Sequence, residues 1–214
     1  RLVDKLEKNG KGLNLTEEVK SGMLHHSKPK GDFMSMDLVS GIGLEAQAIR
    51  ISDAIAYLNH DLGDAFRAGV LTEGDLPKHM KDVLGNRHSE RINNMVTDIV
   101  KTSEPFLEGD SSTAPPVISM SNEMRETINE LRDFMFERVY LPVDSGPEGK
   151  SARMIIDLLY EFLKSNVDSI PVEFLEVGES IDHAIVDYIS GMTDRYAIRT
   201  AESIQPGVGQ VFSS

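Results

Sequence analysis

The stretch Leu44-Glu-Ala-Gln-Ala-Ile-Arg-Ile-Ser-Asp53-Ala-Ile-Ala-Tyr57-Leu-Asn-His-Asp61-Leu-Gly-Asp64-Ala-Phe-Arg-Ala-Gly69 decides the fold class. Ile51, Ile55, Leu58, Leu62 and Phe66 recur at three- and four-residue spacing, the period of an α-helix. Gly69 follows the last periodic residue, a common place for a helix to stop. At about 100° per residue, Asp53, Tyr57 and Asp61 fall within roughly 80° of one another, with His60 and Asp64 on or near the same strip. The apolar set gathers on the opposite side, where burial of each member is worth roughly 1.5 to 3 kcal/mol. One side of the helix is therefore anchored, and the other carries short polar groups.

Spacing alone makes that strip the solvated face of an amphipathic helix. Composition argues for more. Solvated faces lean on Lys and Glu, whereas Leu44 to Gly69 has no Lys and one Glu, and its strip is built of Asp, Tyr and His. A short carboxylate holds its position better than a long one, as a metal ligand or a hydroxyl acceptor must.

Outward from this helix the same period recurs, with no sustained alternation of the kind that marks strands, so the expected fold class is all-α. Leu2, Val3 and Leu6 already show helical spacing, which suggests that the sequence opens inside an element of something longer. Thr16 is placed to cap a short helix ending at His26. A loop interrupted by Pro29, Gly31, Gly41 and Gly43 leads into the central helix. Asp75 with Pro77 opens the next helix and Gly85 closes it. Ser89 is the expected cap of another, striped by Ile92, Met95, Val96, Ile99 and Val100. Residues 104–119, with Pro115, Pro116 and small polar residues, read as a linker loop. Beyond it, Ser121 should cap a helix carrying Met124, Ile128, Leu131, Met135 and Val139. A second should carry Met154, Ile155, Leu158, Leu159 and Phe162. A single last helix is expected from Glu179 to Ile204, with Ile181, Ile185, Tyr188 and Met192 inward. Residues 206–214 read as a loosely held tail. Residues 1–103 and 120–205 would then be two helical bodies joined by the linker.

Composition narrows the function. At 214 residues and 40% hydrophobic content the chain can fill one good core or two small ones. The formal net charge of −13 argues against a surface that neutralises a nucleic-acid backbone. Without cysteine there are no disulfides, thiolate metal sites or cysteine nucleophiles, which suits a reducing compartment. No stretch reaches the roughly 18 apolar residues of a membrane span, and the start has no apolar core of a secretion signal, so a cytoplasmic location is expected.

Three stretches carry a family resemblance: the central helix quoted above, Gly12-Leu-Asn-Leu-Thr-Glu-Glu-Val-Lys-Ser-Gly-Met-Leu-His-His-Ser27, and Asp187-Tyr-Ile-Ser-Gly-Met-Thr-Asp-Arg-Tyr-Ala197. In that order they resemble bacterial deoxyguanosine-triphosphate triphosphohydrolase-like proteins, a branch of the HD phosphohydrolases. The resemblance implies part of an HD-domain-like helical bundle followed by a C-terminal helical subdomain. It implies hydrolysis of a deoxynucleoside triphosphate to deoxynucleoside and triphosphate, with a divalent cation such as Mg or Mn. In that family Asp53 would be the last protein ligand of the cation, Tyr57 would pack on the deoxyribose, and Asp61 would accept a hydrogen bond from its 3′-hydroxyl. The other ligands, two His and an Asp, and the catalytic His would lie upstream of Arg1, so the chain alone is expected to be inactive. Deoxynucleoside triphosphates as substrate and effector, and homo-oligomers, are further implications. A non-catalytic nucleotide-binding or oligomerisation module, and an HD phosphohydrolase acting on other nucleotides, remain alternatives. Gly63 departs from the family pattern and weakens a helix interior by about 1 kcal/mol relative to Ala.

Other candidates rank lower. His25 and His26 are adjacent, so on a helix they point about 100° apart and cannot share a cation. His79, His88 and His183 are isolated in sequence. Gly41-Ile-Gly43 reads as a turn before the helix, since no strand precedes it. Met34 and Met36 read as adaptable packing. The polar run Asp187, Tyr188, Asp194, Arg195, Tyr196 fits either an internal hydrogen-bond network or a contact with substrate or a neighbouring subunit.

Overall fold

Gly43, in extended conformation, starts helix α2 (Leu44–Arg67), and Gly69 at φ +69° follows its end. The computed structural model describes residues 1–27, 41–108 and 117–213, and among them the secondary structure is helical with no strand. The all-α expectation holds. The loop carrying Pro29, Gly31, Met34 and Met36, and the Pro115-Pro116 part of the linker, lie outside the described residues. By packing, the chain divides into two units, 16–139 and 1–15 with 140–214.

The first unit is built around α2. Helix α1 (Glu17–His25) is capped by Thr16, whose Oγ1 accepts from the Val19 amide, and it packs on α2. Their approach is close because Gly22 is buried there; a Cβ on it would meet Ile49 Cδ1 at 3.4 Å. Ile51, Ile55, Leu58 and Leu62 are all buried, as the periodicity requires, and so are the small Ala46, Ala54 and Ala65. Helix α3 (Lys78–Leu84) ends at Gly85 and packs on α4 (His88–Glu108) and α5 (Asn122–Met135).

Two expectations about α4 change. Ser89 lies inside the helix rather than capping it. The exposed amides of Asn86 and Arg87 donate instead to the Glu90 carboxylate, which these two bonds hold below its ordinary pKa. At the other end the helix runs past residue 104 and through Pro105 to Glu108. The buried Ser103 hydroxyl donates to the Ser119 carbonyl at 3.1 Å and lies 2.9 Å from the Ser119 amide, which ties residue 119 back to the helix. Ser121 caps α5 as expected, accepting from the Met124 amide, and Met124, Ile128, Leu131 and Met135 are buried.

In the second unit α6 (Pro147–Ser165) is the central element, started by Pro147 in the first turn. It packs against α8 (Ile181–Ser190) and α9 (Asp194–Ile204), while the short α7 (Val172–Val177) packs on α8. Ile155, Leu159 and Leu163 are its buried residues on the apolar side, and Met154 is 52% exposed rather than inward. The expected single last helix is two. Gly191 ends α8, and Thr193 caps α9 by accepting from the Tyr196 amide. Within α8 Ile185 is fully buried, while Ile181, the first residue of the helix, is 50% exposed rather than inward. Nor is the tail from Pro206 loose: Val208 is buried, its carbonyl accepts from Ser151, and the Gly207 and Gly209 amides donate to Glu202. The opening segment Leu2–Leu6 and Glu7–Gly10 belongs to this unit, with Arg1 Nε and Nη2 clasping the Asp187 carboxylate at 2.5 to 3.2 Å.

Candidate functional site

Helix α2 places Asp53, Tyr57 and Asp61 one turn apart along one flank of its buried arc. Asp53 and Asp61 are half-buried and Tyr57 is 57% exposed. The strip is thus a shoulder between core and solvent rather than the pole of the helix facing water.

Sequence reasoning missed a fourth member. On the helical wheel Arg50 falls between Tyr57 and Asp61, and it is only 3% exposed. Its Nη1 donates to the carbonyls of His25 at 2.7 Å and Ser27 at 2.6 Å, tying the end of α1 to the strip. Burial lowers its pKa, and the charge of Arg132 on α5 lowers it further. Two guanidinium groups therefore stand near enough to repel each other, and that of Arg50 shares the phase of the strip. The available signal was a cation three residues before Asp53 on the strip's own phase.

His60 leaves the strip. Its ring stacks on His88 of α4, with centroids 5.6 Å apart and planes 15° off parallel. It also lines an apolar cavity of about 370 Å³ with Ile51, Ile55, Val96, Ile99 and Val100. Four of the five residues of the apolar stripe of α4, Ile92, Val96, Ile99 and Val100, are accordingly cavity wall, and Met95 alone is fully buried. Asp64 pairs with Arg67 on the exposed side.

The remaining histidines have local partners. His25 Nδ1 lies 2.8 Å from the Ser21 carbonyl and His26 Nδ1 2.6 Å from that of Met23, each one turn back. His79 meets Glu130 at 2.6 Å, and His183 lies 3.7 Å from Glu179. Among the described residues no three His, Asp or Glu side chains converge on a point that could hold a cation. Asp53 by itself does not make a catalytic metal site, which typically needs about three protein ligands. Gly41 at φ +84° and extended Gly43 form the turn before α2, and Gln47 secures it by bonding to the Ile42 carbonyl and the Ile118 amide.

Comparison with known proteins defines the class first: residues 118–203 match the phosphohydrolase-associated domain. The chain is also 40% identical over 203 residues to a deoxyguanosinetriphosphate triphosphohydrolase-like protein of Caldanaerobacter subterraneus subsp. tengcongensis, covering 92% of this chain and 54% of that protein. Proteins of the same name from Clostridium tetani and Desulfatibacillum aliphaticivorans are 39% and 37% identical, over 92% and 95% of this chain and 55% and 59% of theirs. The chain is a homologue of the deoxyguanosinetriphosphate triphosphohydrolase-like proteins, and it spans about half the length of the curated relatives it matches. Among the described residues no helix is long and apolar enough to cross a membrane.

Proposed function

We propose that the protein to which this chain belongs hydrolyses deoxynucleoside triphosphates to deoxynucleoside and triphosphate with a divalent cation, and that the strip on α2 is part of its substrate pocket. The observation that carries this reading is the set Asp53, Tyr57 and Asp61 held in line by a helix whose opposite side is core. A rigid helix fixes the spacing of groups that must meet a cation and a sugar together. In this reading Asp53 contributes one carboxylate to the cation, and the other ligands belong to the part of the relatives that this chain does not span. Bound there, the cation would offset charge on the phosphate oxygens and activate water. Tyr57 presents a ring face to the deoxyribose, and Asp61 accepts from its 3′-hydroxyl. Similarity to relatives named triphosphohydrolase-like supports the reaction class. Assembly into homo-oligomers and regulation by nucleotides belong to the same reading.

The test is incubation of the longer protein with deoxynucleoside triphosphates and Mg or Mn, followed by separation of the phosphate products. Intact triphosphate is expected. Pyrophosphate would point to a different hydrolase of the class, and retained nucleotide binding without turnover to a non-catalytic module.

A further inference from the structure

In the unit that holds α6 to α9, the break between α8 and α9 opens a cavity of about 370 Å³ lined by Phe174, Tyr188, Met192, Thr193, Tyr196 and Arg199. That volume lies within the range of small-molecule pockets, roughly 300 to 1,000 Å³. The proposed hydrolysis makes no use of it.

Its lining is chemically unequal. On one side the Phe174 and Tyr188 rings meet with centroids 5.3 Å apart and planes inclined by 47°, an aromatic wall whose inner edge packs on the core. At its rim the hydroxyls of Tyr188 and Tyr196 lie 3.0 Å apart. Only one of the two phenolic hydrogens can lie between the oxygens, so the other is available to donate outward. Burial and the bond to Tyr196 push the Tyr188 pKa up to about 12, so the Tyr188 phenol holds its proton at neutral pH. Arg199, one turn after Tyr196, lays its guanidinium over the Tyr196 ring at 5.5 Å and forms no ion pair among the described residues. In a chain of formal net charge −13, that is a cation without a carboxylate, already oriented by the ring beneath it.

We propose that this cavity binds a small aromatic anion, a flat ring bearing a phosphate or a carboxylate. The ring lies against Phe174 and Tyr188, and the oxyanion takes the Arg199 fork and the outward phenolic hydrogen. A guanidinium matches either oxyanion through two parallel hydrogen bonds, and offset or edge contact with the wall holds the ring. Glu173, whose charge acts on Tyr188, lines the neighbouring cavity of about 660 Å³, which shares Phe174 and Gly191 with this one. Its carboxylate repels the anion from that side and sets the ligand's polarity toward Arg199.

The test is titration of the chain with phenyl phosphate, benzoate, inorganic phosphate and phenol, read by calorimetry and by amide NMR shifts. Saturable binding of at least one aromatic anion is expected, with shifts at Tyr188, Met192 and Tyr196 and binding about tenfold tighter than that of phosphate or phenol. A preference between phenyl phosphate and benzoate identifies the oxyanion. Arg199→Gln should weaken the bound anion about tenfold with phenol binding and thermal midpoint unchanged, and Tyr196→Phe should weaken it about threefold. The proposal is overturned by the absence of saturable binding of both aromatic anions, by Arg199→Gln binding as the parent does, or by inorganic phosphate binding as tightly as phenyl phosphate.

Discussion

Arg91 Nε donates to Asn59 Oδ1 at 3.2 Å, joining a guanidinium that is 3% exposed to an amide that is fully covered. Asn59 spends its own N–H groups on the Ile55 carbonyl and the Met95 sulfur, and Arg91 reaches the Asn86 carbonyl, so α2 and α4 are joined by a polar bridge inside an apolar contact. Asn59→Ala leaves the Arg91 donor without this acceptor and should lower stability by about 2 to 3 kcal/mol. Paired with Arg91→Met, the two changes should be non-additive by about 1 kcal/mol or more in urea unfolding. Additive effects would mean that the bridge carries no coupling.

Two glycines should respond to alanine with opposite signs. Gly85 ends α3 at φ +100°, and a Cβ there would stand 2.8 Å from Glu90 Cβ, so Gly85→Ala should destabilise by more than about 1 kcal/mol. Gly63 is inside α2, where a Cβ would meet only the far end of the Arg67 side chain at 3.4 Å. Gly63→Ala should stabilise by about 0.5 to 1 kcal/mol. Thermal unfolding of both variants checks the pair.

The Tyr188 phenol, raised from an ordinary value of 10.0 to about 12, gives stability a dependence on alkaline pH. Between these values the unfolded chain has released the proton and the folded chain still holds it. The contribution is therefore complete below about pH 10 and is lost as pH rises toward 12. Tyr188→Phe should flatten that part of the stability curve relative to the parent. Ultraviolet titration should show one tyrosinate fewer forming late, and an unchanged late phase would contradict the assignment.

On the proposed function, Asp53→Asn in a protein spanning the full length of the relatives should lower turnover by at least about a hundredfold and reduce bound metal together with it. Tyr57→Ala should leave much of the turnover intact while eroding preference for deoxy over ribo substrates by about tenfold. Metal content and activity of Asp53→Asn equal to the parent would remove Asp53 from the cation site.

Where the sequence could be read, the information was local. The phase of Ile51, Ile55, Leu58 and Leu62, the caps Thr16 and Ser121, and the stop at Gly69 depend on residues within a few turns, and the structure follows them. The break at Gly191 was visible as Gly followed by a capping Thr193, but uninterrupted apolar spacing on both sides masked it. The burial of Val208 depends on Ser151 and Glu202 and is not written in the tail itself. The candidate strip was legible as a phase relation among Asp53, Tyr57 and Asp61. Arg50 was not, because its carbonyl acceptors lie 23 and 25 residues away in sequence.

The pairing of residues 1–15 with 140–214 has a consequence for biosynthesis. Residues 16–139 are contiguous, so their contacts can close while the ribosome is still adding the remainder. Arg1 must wait for Asp187, 186 positions later, before its clasp can form. The clasp therefore closes a long loop, and a contact of such sequence separation forms after the local packing of the helices it spans.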